Sequence, residues 1–214
     1  MTSVPFRTTT EQNQAIPLAV AHLRAGGILG YPTETVYGLG CVLEEAPLEA
    51  LAALKGGRAE KSFLLLVSGL AQVPHLQWTE AAHKLAATFW PGPLTLALRA
   101  DSTRYPQRVL AEAGTLAVRQ TGHEGIHRLL QALGQPITST SANLPGEPPV
   151  ADARELASLL KGLAAVDTLI LDAGPLKASP PSTLVDCSGP EPRLVREGAI
   201  PVDALKRCVH DLRT

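Results

Sequence analysis

The sequence is poor in cysteine, methionine and aromatic residues. It has 3 cysteines, 1 methionine and an aromatic content of 4% among 214 residues. The cysteines, Cys41, Cys187 and Cys208, are scattered and form neither a disulfide framework nor a C-x-x-C metal pair. This usage of cysteine favours a reducing compartment, and we expect the protein to be cytoplasmic.

A strong net charge and a long apolar run are also missing. The 19 Lys and Arg residues nearly balance the 20 Asp and Glu residues, which leaves a formal net charge of −1. This balance argues against tight nonspecific binding to nucleic acid, which depends on an excess of basic groups. No apolar run approaches the ~18 residues of a membrane-spanning helix. The polar residues 1–14 also lack the apolar stretch of a secretory signal.

The sequence does contain an alternation of helix and strand patterns. Hydrophobic residues make up 45% of the chain, which excludes global disorder and is enough to build a core. Helices are predicted around residues 16–23, over 47–55, 79–90, 125–133 and 153–160, and from residue 201 onward. Strands are predicted over 28–31, 63–67, 94–98, 116–118, 136–140, 168–171, 183–186 and 194–196. The mixture predicts a single α/β domain.

One short motif points to zinc. His123, Glu124 and His127 satisfy the H-E-x-x-H spacing, in which two histidines on one helical face bind zinc and the glutamate acts as a base. Gly122 and Gly125 weaken a helix at this point by roughly 1 kcal/mol each relative to alanine. A zinc hydrolase is therefore the least favoured alternative, and we predict no dedicated metal site.

The distribution of basic and hydroxyl groups predicts a different kind of site. Neither a P-loop nor a G-x-S-x-G elbow is present. Cations and hydroxyl or amide groups instead cluster at the ends of predicted elements: Lys55, Arg58, Lys61, Arg119, Arg196, and residues 33–35, 138–143 and 182–183. Taken singly, each fits an ordinary surface charge, turn or cap better. Together they predict an anion-binding cleft for phosphate and carboxylate oxygens.

Longer motifs follow one another along the chain. They are PTETVYGLG at 32–40, the cations Lys55, Arg58 and Lys61, WPGPLT at 90–95, AVR at 117–119, SAN at 141–143, STLVD at 182–186 and REGAI at 196–200. In this order they resemble the YrdC/Sua5 family of threonylcarbamoyl-AMP synthases. The resemblance extends from about residue 12 to residue 201, which is nearly the whole chain.

The resemblance implies both a fold and a reaction. The fold would have three layers, with a twisted mixed β-sheet around a deep, positively lined cavity. A single domain over 1–214 would have its core at about 12–201 and a C-terminal helix over 201–212, as in the short family members that lack a second domain. The enzyme would be a nucleotidyltransferase that converts L-threonine, bicarbonate and ATP into L-threonylcarbamoyl-AMP and pyrophosphate.

The resemblance also implies the surroundings of that reaction. ATP would bring Mg²⁺ with it. The product would pass to a threonylcarbamoyl transferase complex that modifies adenosine 37 of tRNA, with direct tRNA contact weak or indirect and no membrane partner. A non-catalytic RNA-binding module of the same fold is the alternative from a different functional class.

Site residues follow from the resemblance, position by position. Those expected to hold threonine are Thr33, Arg119, Ser139 and Ser182, with Arg119 at the threonine carboxylate. Those expected to contact ATP are Lys55, Arg58, Lys61, Thr115, Ser141, Asn143 and Arg196. Of these groups, Lys55, Arg58 and Arg119 are the expected catalytic residues.

Two local departures from the family pattern affect these expectations. The family has K-x-R-P, whereas Gly56 and Gly57 both stand between Lys55 and Arg58 here. This longer spacing would move Lys55 away from the ligand and leave Lys61 to replace it. Thr121 also replaces a proline that is common after the arginine.

Overall fold

The computed structural model describes residues 1–57, 62–144, 146–161, 167–177 and 179–214. Its strands are β1 (Thr2–Pro5), β2 (Ile28–Pro32), β3 (Tyr37–Gly40), β4 (Leu64–Leu66), β5 (Leu76–Gln77), β6 (Leu94–Ala100), β7 (Thr115–Arg119), β8 (Ile137–Ser141), β9 (Thr168–Asp172), β10 (Thr183–Asp186) and β11 (Arg193–Arg196). Its α-helices are α1 (Thr9–Arg24), α2 (Glu45–Leu54), α3 (Glu80–Phe89), α4 (Glu124–Leu133), α5 (Ala153–Lys161) and α6 (Val202–Cys208).

The strands of this described part form one mixed sheet. Its order is β1-β9-β2-β3-β8-β4-β7-β6-β10-β11, and β5 pairs with β6 outside this path. Parallel pairs such as β4 with β7 and β6 with β10 stand beside antiparallel pairs such as β3 with β8 and β6 with β7. This arrangement confirms the predicted mixed α/β fold, whereas the deep, positively lined cavity stays a prediction.

Helices pack on both faces of the sheet. One core cluster joins α2, α3, α5 and α6 to the sheet and includes Leu65, Leu85 and Leu205. A second cluster joins α1 and α4 to it and includes Leu66 and Ile126. Because successive strand residues point to opposite faces, Leu65 and Leu66 place the two clusters on opposite sides of the sheet.

Strand β3 is absent from the sequence prediction because glycine occupies two of its four positions. The structure explains both glycines by close approach to neighbours. A Cβ on Gly40 would lie 2.0 Å from the carbonyl oxygen of Thr138, and one on Gly38 would lie 3.1 Å from the ring of Tyr31. The pairing of β3 with β8 therefore depends on residues that weaken the strand pattern in the sequence.

The ordered structure begins earlier than residue 12. Strand β1 pairs in parallel with β9 at one edge of the sheet. Helix α1 then begins at Thr9 behind a capping box, in which the side chain of Thr8 accepts from the N–H of Glu11 and the Glu11 carboxylate accepts from the N–H of Thr8.

The last helix ends earlier than the expected residue 212. Helix α6 stops at Cys208, and the chain then returns to the edge strand β11. There the carbonyl of Arg213 accepts from the N–H of Leu194 at 2.7 Å, and the N–H of Arg213 donates to the carbonyl of Pro192 at 2.9 Å. These strand-like hydrogen bonds use the backbone groups that a longer helix would need. None of the helices in the described ranges is long and apolar enough to cross a membrane.

Candidate active site

Strand β7 carries the central residue of the site. Its Leu116 and Val118 are fully buried in the first core cluster. Side chains alternate along a strand, so Thr115, Ala117 and Arg119 point to the opposite face. The sequence-predicted residues Thr115 and Arg119 therefore lie on one face, near the two ends of the same strand.

Strand β8 adds hydroxyl groups to this face. Arg119 and Ile137 both lie opposite Leu66 of β4, and residues directly opposite each other in a sheet point to the same side. Ser139 and Ser141, two and four residues after Ile137, therefore share the face of Arg119. Ser139 is 9% exposed, and Ser141 lies at the more open end of the strand.

Strands β6, β10 and β11 complete the arrangement. Ala97 of β6 lies opposite Ala117 of β7, so Thr95, two residues before Ala97, also points to the site face. The hydroxyl of Thr95 lies 2.9 Å from that of Ser182, which immediately precedes β10. Arg196, at the end of β11, donates from Nη2 to the carbonyl oxygen of Ser182 at 2.8 Å. The structure thus brings Ser182 and Arg196 together.

Arg119 is buried and held from two sides. It is only 5% exposed, and its Nε donates to the carbonyl oxygen of Gly92 at 3.2 Å. Its Nη2 lies 2.7 Å from Oε1 of Glu34, close enough for an ion pair. Glu34 is therefore the charged partner of Nη2, and Gly92 is the partner of Nε. Arg119 is a buried cation held in place at the end of β7.

The loop between β2 and β3 holds Thr33 and Glu34. The hydroxyl of Thr33 donates to the carbonyl oxygen of Val36 at 2.7 Å and accepts from the N–H groups of Thr35 and Val36, each at 3.1 Å. Such a local turn fixes the backbone on both sides of Glu34. Thr33 is therefore buried one residue from the partner of Arg119, and its contact with threonine stays a prediction.

Two guanidinium groups of the site, those of Arg119 and Arg196, lie close enough to repel each other. Burial lowers the pKa of Arg196, and the like charge of Arg119 lowers it further. Burial by itself would raise the pKa of Glu34, but the charge of Arg119 and the donors of Thr121 and Gly122 outweigh it and hold that pKa below its ordinary value. The site therefore contains two cations that repel each other, Arg119 and Arg196, and one fixed carboxylate, Glu34, beside Arg119. Binding of a second anion near Arg196 would reduce this repulsion.

Lys55 lies in the site but its ammonium group is already surrounded by oxygens. Its Nζ donates to the carbonyl oxygens of Ser141 at 2.9 Å and Asn143 at 2.6 Å, and to Oδ1 of Asn143 at 2.7 Å. The hydroxyl of Ser141 also donates to this Oδ1, and Nδ2 of Asn143 donates to the carbonyl oxygen of Glu147. Despite the extra glycine, Lys55 therefore reaches the residues expected beside ATP.

Two of the predicted ATP-binding residues, Arg58 and Lys61, lie outside the described residues. The expectation that Lys61 replaces Lys55 consequently stays a prediction. The contacts of Lys55 show that the longer spacing does not carry it away from Ser141 and Asn143.

The structure gives the H-E-x-x-H residues another role. His123 is the N-cap of α4, with its Nδ1 accepting from the N–H of Ile126 at 3.4 Å and its ring stacked against Phe6. It therefore precedes the helix instead of sharing a helical face with His127. Within the described ranges, no three His, Cys, Asp or Glu side chains group closely enough to hold a metal ion.

Four residues that make contacts in the site have no individual role assigned from the sequence. Gly92 and Glu34 hold Arg119, Thr121 holds Glu34, and Thr95 contacts Ser182. Glu34 and Gly92 lie inside the motifs at 32–40 and 90–95, and this position is the signal in the sequence that could have indicated their role. Thr121 carried none, because it differs from the family pattern.

Comparisons with known proteins identify relatives of this chain. The Sua5/YciO/YrdC family model, described as "Telomere recombination", matches residues 21–198. The threonylcarbamoyl-AMP synthase of Pyrococcus abyssi is 32% identical over 201 residues, an alignment that covers 92% of this chain and 58% of that protein. This chain thus spans less than two thirds of the length of that relative.

Solved structures show the same fold. The structure of P. abyssi Sua5 complexed with L-threonine matches with a TM-score of 0.90 at 30% identity, covering 100% of this chain and 62% of that one. E. coli YciO matches with a TM-score of 0.82 at 28% identity, covering 95% of this chain and 98% of that one. With the family model matching most of its length, the chain belongs to the Sua5/YciO/YrdC family.

Proposed function

We propose that this protein is a threonylcarbamoyl-AMP synthase, which joins L-threonine, bicarbonate and the AMP part of ATP and releases pyrophosphate. The observation that carries the proposal is the buried guanidinium of Arg119, which Gly92 and Glu34 hold on the same sheet face as the hydroxyl-bearing residues Thr95 and Ser139. A planar guanidinium held in this way suits the carboxylate of an amino acid. The threonine complex of P. abyssi Sua5, a relative with the same fold, supports this choice of substrate.

Hydroxyl groups around Arg119 would hold the rest of the amino acid. Ser182 is 5% exposed, and Ser139 is nearly as buried. The hydroxyl of Thr33 is also buried, but its donor and acceptor capacity is already used within its own turn. The hydroxyl of Ser182 is paired with another hydroxyl, that of Thr95, so either oxygen can donate while the other accepts from a ligand. Such adaptable partners suit the polar amine and hydroxyl of threonine.

The cations beyond Arg119 would bind the phosphates of ATP. Arg196 stands beside Ser182 and feels the charge of Arg119, so an anion placed between the two guanidiniums would relieve their repulsion. Lys55 fixes the segment from Ser141 to Asn143, and Thr115 lies on the same sheet face as Arg119. Arg58 and Lys61 are the remaining residues proposed to contact ATP.

The chemistry needs proximity and charge more than a covalent nucleophile. The amine of threonine would attack the carbon of bicarbonate and give a carbamate with loss of water. If bicarbonate first loses water to form CO₂, attack of the amine on CO₂ would give the same carbamate with loss of a proton. A carbamate oxygen would then attack the α-phosphorus of ATP, and the bond to pyrophosphate would break. The reactants carry negative charge, so preorganised cations offset their repulsion and the charge that develops at phosphorus. Holding the reactants together supplies the rest, with effective molarities of ~10⁵ M or more.

Mg²⁺ would enter the site with the phosphates of ATP. No cluster of metal-ligating side chains is found in the part of the chain that the structure describes. We therefore assign the ion no protein ligands, and its chemistry would be to neutralise phosphate charge.

Release of pyrophosphate tests this function. The purified protein, given ATP, Mg²⁺, bicarbonate and L-threonine, should release pyrophosphate, and omission of L-threonine should abolish the release. Arg207→Ala is the matched control for arginine variants, because Arg207 is exposed on α6, which packs on the other side of the sheet. Salt-sensitive binding of RNA by a protein that turns over no ATP would instead favour the RNA-binding alternative.

The product would serve tRNA modification. A mixed anhydride of a carbamate and AMP is an activated group that must pass to an acceptor before water hydrolyses it. We propose that a threonylcarbamoyl transferase complex is the consumer, and that this chain itself contacts tRNA weakly or not at all. The net charge of −1 is in keeping with that division of work.

A further inference from the structure

Arg119 is oriented by a carboxylate that is itself held from the far side. The hydroxyl of Thr121 donates to Oε2 of Glu34 at 2.6 Å, and the N–H of Gly122 donates to Oε1 at 3.0 Å. Thr121 is fully buried, and its oxygen in turn accepts from the N–H of His123 at 3.2 Å. Each carboxylate oxygen of Glu34 thus has a fixed donor besides Arg119.

The order of these contacts gives each residue a different task. The carbonyl oxygen of Gly92 accepts from Nε of Arg119 and so fixes one edge of the planar guanidinium. Glu34 stands 2.7 Å from Nη2 and attracts that end of the guanidinium. Thr121 prevents Glu34 from turning toward solvent, to which its side chain is 23% exposed.

We propose that Thr121 and Glu34 are positioning residues that set the orientation of Arg119 for the substrate carboxylate. The proposal rests on the proposed function, because it takes threonine as the ligand of Arg119. Neither residue needs to touch the substrate. Thr121 acts through Glu34, and Glu34 acts through Arg119.

The network fixes the position of the negative charge beside Arg119. Two donors besides Arg119 hold the carboxylate of Glu34, one at each oxygen. Without the Thr121 donor, this carboxylate could turn toward solvent, and the guanidinium of Arg119 would lose its fixed orientation. Loss of the Thr121 donor should therefore weaken binding of threonine.

Kinetics of four single variants and one double variant test the proposal. Thr121→Val keeps the shape but removes the donor, whereas Thr121→Ser keeps the donor, and Glu34→Gln removes the charge. The matched control is Thr88→Val on α3, where the hydroxyl donates to the carbonyl of Lys84. The readouts are pyrophosphate release as a function of threonine and of ATP concentration, with thermal unfolding of each variant.

We expect Thr121→Val to raise the KM for threonine about tenfold, the usual scale for one charge-assisted hydrogen bond, with the KM for ATP within about twofold of wild type. Thr121→Ser should restore the KM for threonine, and Thr88→Val should leave it unchanged. In the double variant, adding Thr121→Val to Glu34→Gln should cause no further rise, because Thr121 acts through the missing carboxylate.

Specific outcomes would overturn the proposal. An unchanged KM for threonine in Thr121→Val, equal losses in the valine and serine variants, or additive effects in the double variant would each contradict it. If Thr121→Val does not fold, Glu34→Gln decides by the same comparison of the two KM values. A wild-type protein without threonine-dependent pyrophosphate release overturns the proposed function, whereas an active wild type with unaffected variants overturns only the positioning.

Discussion

The ammonium group of Lys55 lies 2.6 Å from the main-chain oxygen of Asn143 and 2.7 Å from its side-chain oxygen. A third oxygen, the carbonyl of Ser141, completes its surroundings at 2.9 Å. All three partners are neutral acceptors, so the lysine charge is desolvated without a carboxylate to compensate for it. Burial consequently lowers the pKa of Lys55 to about 8.

This pKa predicts an alkaline decline in the use of ATP. Lys55 is charged below pH 8 and loses its proton as the pH rises through that value, so its attraction for phosphate disappears. We expect kcat/KM for ATP in the wild type to fall above about pH 8, by up to tenfold per pH unit while this charge governs binding. The Lys55→Met variant should have a lower kcat/KM for ATP than the wild type at pH 7, and this value should not decline above pH 8. An identical decline in both proteins would contradict the assignment, because the threonine amine contributes equally to each.

Removal of Arg119 should lower both activity and stability, and a second substitution at Glu34 should restore part of the stability alone. Arg119→Ala should lower kcat/KM for threonine by at least about 100-fold, because the carboxylate partner and a cation of the site are both lost. The variant also leaves the half-buried Glu34 without its ion pair, at an expected cost of about 1–3 kcal/mol in the free energy of unfolding. Adding Glu34→Gln should recover part of that stability in urea denaturation and none of the activity. Wild-type kinetics in Arg119→Ala would refute the role of this residue.

Arg196 should affect ATP more than threonine. Arg196→Ala removes the repulsion from Arg119 but also the hydrogen bond to the carbonyl oxygen of Ser182, so the unfolding midpoint in urea should change little. It should raise the KM for ATP about tenfold, as expected for one lost phosphate contact, with a smaller change in the KM for threonine. The exposed Arg207→Ala is the control for loss of a positive charge. A rise in the KM for threonine alone, with an unchanged KM for ATP, would contradict the proposed contact of Arg196 with ATP.

Gly40 should be indispensable to the sheet that supports the site. A methyl group at this position meets the carbonyl oxygen of Thr138 at 2.0 Å, and neither backbone can retreat without breaking the pairing of β3 with β8. Gly40→Ala should lower the free energy of unfolding by about 2 kcal/mol or more. Gly189→Ala, where an added Cβ meets nothing within 4 Å, should be nearly neutral. Equal urea midpoints for the two variants would show that this close approach does not limit stability.

The sequence was sufficient for the parts of the site that follow strand ends. Arg119, Ser182 and Arg196 each terminate or precede a strand whose apolar pattern is clear, and the structure gathers them on one sheet face. The pairing of Glu34 with Thr121 could not be predicted in this way. It joins two loops that are 87 residues apart in the chain, and their approach depends on the order of strands in the sheet.

Motif spacing also gave wrong predictions for residues whose hydrogen-bond partner is a backbone group. The spacing of His123 and His127 satisfies a zinc motif, but His123 accepts from a helical N–H and so belongs to the cap of α4. Lys55 lies next to two glycines that disturb the family spacing, yet backbone carbonyls at 141 and 143 capture it. Such contacts depend on where a loop passes in three dimensions, which motif spacing does not contain.

The carbon of bicarbonate offers the sharpest test of the proposed reaction. The wild-type protein is incubated with ATP, Mg²⁺, L-threonine and ¹³C-labelled bicarbonate, and the nucleotides are analysed at once by mass spectrometry. We expect an AMP derivative with the mass of threonylcarbamoyl-AMP that carries the label and forms only when L-threonine is present. ATP left unconsumed, or an adenylate without the labelled carbon, would contradict the proposed synthase activity.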